Sequence, residues 1–187
     1  MSKSTTTLKI TALAIAALAA AGSASAQEAA APSPFADFAE KCMNEGPRYD
    51  RTAALAKESG WGALSQDMTL GILPLDEPTA FDGWITQTGG DKPFEAIVIA
   101  KATVGEKPVE SCTMAFAGAD AAQFERDLIA AKSATASGQQ NGEVRVRKFF
   151  SIEREGFKEA VTLDLPTYPN GADEVVASVV AEQQIEN

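Results

Sequence analysis

Histidine is absent from the sequence. That absence removes Ser-His-Asp and Cys-His catalysis, histidine metal sites and the side chain that most often moves protons near neutral pH. Phosphate loops, G-x-S-x-G elbows and S-x-x-K dyads are also missing after residue 26, which disfavours the reaction classes they serve. Two cysteines with no neighbouring ligand cannot build a zinc site, so no metal and no cofactor is expected. Positive charge is scarce: 16 Lys and Arg stand against 26 Asp and Glu, a net charge of −10. Such a balance repels phosphate backbones and anionic head groups. Nucleic acid and direct membrane-surface binding are therefore not expected.

Long apolar runs are missing too, apart from one near the start. Lys3 and Lys9 sit in a Ser/Thr-rich lead, an apolar run follows from Ile10 to Ala21, and Ala24 and Ala26 form an A-x-A site. This is the layout of a cleavable signal peptide over residues 1–26. The run is too short for a permanent span, which needs roughly 20 apolar residues, so no membrane insertion is expected after cleavage. The segment holds two of the basic residues and none of the acidic ones, leaving 14 against 26 and a net charge of −12. Export to the periplasm or beyond is the expectation. In that oxidising setting the even cysteine count favours a Cys42–Cys112 disulfide.

Residues 27–32 read as a disordered spacer and 33–187 as one domain. Helix one starts with Ser33 as N-cap and Pro34 at its first position and ends at Gly46. Phe35, Phe38, Ala39, Cys42 and Met43 make its inward stripe. A second helix spans Asp50 to Ser59, with Asp50 as cap, Gly60 as stop, and Trp61 folded back on the last turn. Gly62 to Asp82 is irregular, broken by Gly71, Pro74, Pro78 and an Asp76-Glu77 pair. Structureless stretches of that length are unusual in compact domains and are often functional.

After it the apolar period switches to two. Trp84–Gln87, Phe94–Val104 and Val109–Ala117 read as strands, with Cys112, Met114 and Phe116 on one face. In the second of these, Ala96, Val98 and Ala100 alternate with Ile97 and Ile99, so both faces require cover. Asp120 and Gln123 form a capping-box pattern ahead of Phe124 and Leu128. Ser133 to Gly142 is small and polar, and reads as a mobile loop. Glu143 to Leu165 is a hairpin. A Glu155-Gly156 turn sets Glu153 against Lys158, Arg147 against Asp164 and Phe150 against Val161. Lys148 interrupts its apolar row, which points to a bulge or a snorkelling stem. For Val175, Val176, Val179 and Val180 helix spacing competes with valine's preference for strands, and a strand is the expectation.

The residues marked for binding are Phe81, Trp84, Ile97 and Ile99. Trp84 is either a lid over the two isoleucines or the wall of an apolar cleft beside the irregular segment. Asp76, Glu77 and Asp82 do not match a calcium loop. Arg145, Arg147 and Lys148 alternate along a strand with cross-strand acids, which reads as a solvated sheet face rather than an anion site.

Phe38-Ala39-Glu40-Lys41-Cys42, Ser59-Gly60-Trp61 and Ser111 to Phe116 before a helix together resemble a group of small uncharacterised exported bacterial proteins with one disulfide. The resemblance implies no activity. The expected fold is α+β: an antiparallel sheet of five or six strands with helices on one face and two N-terminal helices, loosely profilin-like or PAS-like. The expected function is a non-catalytic periplasmic binding or interaction module for a protein or a small apolar ligand. The alternative is a hydrolase using a carboxylate pair.

Overall fold

The computed structural model describes residues 33–87, 93–154 and 157–183. The expected signal peptide, the spacer at 27–32, residues 88–92 and the Glu155-Gly156 turn lie outside the described residues.

Ser33 caps α1 (Pro34–Phe38) through its side chain, and the helix widens at once into a π-helical turn, Ala39–Met43. The π turn rotates Cys42 and Met43 onto the buried side with Phe35 and Phe38. α2 (Tyr49–Ser59) begins one residue before the expected cap. It stops at Gly60, whose left-handed φ of 66° lets the Trp61 N–H return to the Ala56 carbonyl at 3.0 Å. Trp61 then packs against the core.

Eight strands follow in one sheet: β1 (Gly62–Ala63), β2 (Ala80–Ile85), β3 (Glu95–Val104), β4 (Lys107–Ala119), β5 (Thr135–Asn141), β6 (Arg145–Arg154), β7 (Phe157–Pro166) and β8 (Asp173–Glu182). Their order is β1-β2-β3-β4-β8-β7-β6-β5, each neighbouring pair antiparallel. Two four-stranded meanders are thus joined along their last strands, β4 and β8. The valine-rich final segment is a central strand.

The expectation of a five- or six-stranded sheet is corrected to eight strands. β1 is too short to show a period, and β5 shows none because its side chains are polar and every residue is exposed. β5 is held by backbone pairing with β6 instead. The irregular segment also contains a helix, α3 (Gln66–Ile72), capped by Ser65.

Helices on one face only is the second correction. α1, the π turn and α4 (Ala121–Lys132) bury Phe38, Met43, Phe124 and Leu128 against Ile97, Ile99, Met114, Val161, Leu163 and Val179. Tyr49 and Ala53 of α2 pack on the same core. α3 lies across the opposite face, where Thr69 sits over Gly83 and Val98. A strand apolar on both sides requires such double cover, and β3 has it.

The Cys42–Cys112 disulfide joins the π turn to β4, with Cα atoms 5.3 Å apart. Both residues are fully buried. The hairpin register is as expected: Glu153 opposes Lys158, Phe150 opposes Val161 and Arg147 opposes Asp164. Lys148 makes no bulge in that ladder. Its stem crosses to α4, where Nζ meets the Glu125 carboxylate at 2.6 and 2.8 Å.

Candidate functional site

On the face that α3 covers, the chain from Gly71 to Asp76 passes above the sheet and leaves a cleft of about 430 Å³. Period-two alternation explains the floor, because directly opposed residues of neighbouring strands share a face. Phe149 opposes Thr162 and Thr162 opposes Ser178. Arg147 opposes Asp164 and Asp164 opposes Val176. Ile72, Leu73 and Pro74 form the upper wall. The cleft therefore has an apolar roof, an aromatic ring, two hydroxyls in its floor and a charged end.

That charged end is organised by Asp164. Its carboxylate receives Arg145 Nε, and Arg147 Nη2 at 3.1 Å. Arg145 also donates to the Asp164 carbonyl at 2.8 Å and to the Glu174 carbonyl at 3.3 Å, so its fork is spent on protein. Among the described residues Arg147 makes one such bond, and its side chain is 54% exposed. It is the cation with donors to spare for a ligand. In the floor, Ser178 Oγ accepts from Thr113 at 2.9 Å. Among the described residues the cleft lining includes three carboxylates, Asp76, Asp164 and Glu174, and no lysine or histidine.

None of the chain's family-model comparisons gave a match, and neither the curated proteins nor the solved structures contain a significant one. The functional reading rests on the chemistry of the site itself.

The residues marked from sequence divide between the two faces. Trp84 opposes Ile97 and packs against the core, while Ile97 and Ile99 are fully buried beneath the helices. Phe81 opposes Ala100 and so faces the other way, with Gly83 and Val98. None of the four lines the cleft. The irregular segment does form a wall of it, but the other wall comes from β6, β7 and β8 rather than from the Trp84 strand. Asp82 accepts a hydrogen bond from the Tyr49 hydroxyl and leaves Asp76 and Glu77 without it. Among the described residues no cluster of three or more metal-ligating side chains forms.

A carboxylate pair with divergent acidity exists elsewhere. Burial, then a hydrogen bond shared with Glu95, pushes Asp37 up to about 6. Burial acts on Glu95 in the same sense, but hydrogen bonds from Asp37, Thr86 and Gln87 and the Lys41 charge outweigh it and hold Glu95 below its usual range. Split acidities are what a general acid and its partner require. Here, however, the side chains are only 11% and 8% exposed, with Lys41 closing over both. The pair fastens α1 to the start of β3; among the described residues it faces no open cleft.

Proposed function

We propose that this chain is an exported, non-catalytic binding module, and that its ligand is a small molecule with one apolar side and one polar edge, held between Gly71–Asp76 and the β6–β8 face. The cleft carries the reading: its volume falls within the range of small-molecule sites. Ile72 and Leu73 would cover an apolar surface, and Phe149 offers a ring face. Arg147, Thr162 and Ser178 would fix the polar edge. A location in the periplasm or outside the cell is supported by the leader and by the disulfide. Among the described residues no helix is long and apolar enough to cross a membrane.

The experiment is a thermal-shift screen of the disulfide-intact protein against amphipathic metabolites, followed by calorimetry on each hit. Val176→Trp should fill the cleft and remove binding with little loss of stability. Hits that bind this variant unchanged would place the site elsewhere. Turnover of a hit that disappears on Asp37→Asn or Glu95→Gln would replace the binding reading with carboxylate hydrolysis.

A further inference from the structure

Small-molecule sites are mostly apolar and hold only a few polar groups. The cleft under Gly71–Asp76 departs from that pattern, because more than half of its lining residues are polar or charged. A ligand of largely apolar surface would strip water from those groups without replacing the hydrogen bonds, which costs free energy at each one. The occupant therefore needs polar atoms around most of its rim.

The charges narrow the choice further. Arg145 and Arg147 stand against Asp76, Asp164 and Glu174. A carboxylate docking on Arg147 would come up against Asp164, whose Oδ2 lies 3.1 Å from Arg147 Nη2. An ammonium docking on Glu174 would meet Arg145, whose Nη1 lies 3.5 Å from Glu174 Oε1. Like charges so placed work against ionic ligands of either sign. A hydroxyl group meets neither penalty, since it can donate to a carboxylate and accept from a guanidinium.

The floor adds one ring and two hydroxyls. Phe149 faces Gly138 across the β5–β6 ladder, so no side chain of β5 stands directly opposite it. Thr162 and Ser178 follow in the same row. Resting on the cleft as the binding site, we infer that its ligand is a neutral saccharide. A pyranose ring carries C–H groups on one face, which suit the negative face of an aromatic ring, and hydroxyls around its edge. Phe149 takes the C–H face, and Arg147, Asp164, Thr162 and Ser178 take the hydroxyls.

Protein-detected NMR titration of the disulfide-intact chain tests this with glucose, galactose, mannose, N-acetylglucosamine, maltose and cellobiose, and with hexanoate and hexylamine as charged amphipathic probes. At least one sugar should shift amides of β6–β8 with millimolar or tighter affinity. A tenfold rise in salt should leave that affinity unchanged, because no net charge is neutralised. Val176→Trp should abolish the shifts, and Phe149→Leu, which keeps an apolar side chain, should weaken binding tenfold or more. Thr162→Val, close in shape, should weaken it several-fold if Phe149→Leu proves too unstable to titrate. Hexanoate or hexylamine binding that Val176→Trp removes, with no sugar bound, overturns the saccharide and leaves the cleft as the site. Sugar binding indifferent to both floor variants, or lost in high salt, also overturns the saccharide. Binding that survives Val176→Trp, or none by any probe, overturns the cleft as well.

Discussion

Thr69 Oγ1 stands 2.7 Å from the position a β-carbon on Gly83 would take, and Val98 and Leu64 close the same space at 3.1 Å. Thr69 cannot simply rotate away, because its hydroxyl is bonded to the Ser65 carbonyl at 3.0 Å. Gly83 is therefore the seat of α3. Gly83→Ala should cost about 1–3 kcal/mol through overpacking and should lift α3 off β2. Urea denaturation would read the loss. Hydrogen exchange should show faster amides across Gln66–Ile72, and normal protection there would sink the argument.

The disulfide closes a sequence separation of 70 residues. In the chain-entropy model that constraint is worth roughly 4 kcal/mol. Replacing both cysteines by alanine should lower the urea midpoint accordingly, and thiol titration of the denatured, unreduced protein should find no reactive group. Two thiols per chain would contradict the bond directly.

The hairpin was legible because both strands and their charges lie close in sequence, so one register satisfies Arg147–Asp164, Glu153–Lys158 and Phe150–Val161 together. Cys42 and Cys112 were legible because each sits on a periodic inward stripe. β5 was not: an edge strand needs no buried side, so Thr135–Asn141 has no period to read. A strand beginning at Trp84 leaves Phe81 outside its alternation and free to join Trp84. With β2 beginning at Ala80, parity alone sends them to opposite faces. The cleft was hidden for another reason. Its floor depends on the β7–β8 pairing, which brings Thr162 to Ser178 and Asp164 to Val176, and no local pattern encodes that contact.

Asp37 makes stability depend on pH in an unusual direction. Its carboxyl is raised from an ordinary 3.8 to about 6, so the folded state holds a proton that the unfolded chain releases. The stabilisation is full below the unfolded value and is lost as pH rises through about 6. Glu95, held low, works the opposite way at more acid pH, which limits the net effect. Between about pH 4.5 and pH 7.5 the wild type should lose on the order of 1–2 kcal/mol that Asp37→Asn retains. Denaturant titrations at the two pH values test the difference. Parallel pH slopes for the two proteins would remove Asp37 as the cause.

Glu159 is the least compensated charge in the core. It is fully buried on β7, and among the described residues neither carboxylate oxygen has a hydrogen bond. Arg154 Nε lies 3.3 Å from Oε2, while its guanidinium also donates to the Met43 carbonyl at 2.8 Å. Burial raises the pKa of Glu159 above its ordinary value, with the Arg154 and Lys132 charges pulling it back. A pair of this kind gains little over a neutral replacement but is costly to break from one side. Glu159→Gln should therefore change stability by less than about 1 kcal/mol, whereas Arg154→Met should cost about 3–5 kcal/mol by stranding the carboxylate. The double variant separates charge from packing. If stranded charge is the cause, adding Glu159→Gln to Arg154→Met recovers most of the loss at neutral pH; if the loss persists, it belongs to the missing Arg154–Met43 bond that anchors the π turn.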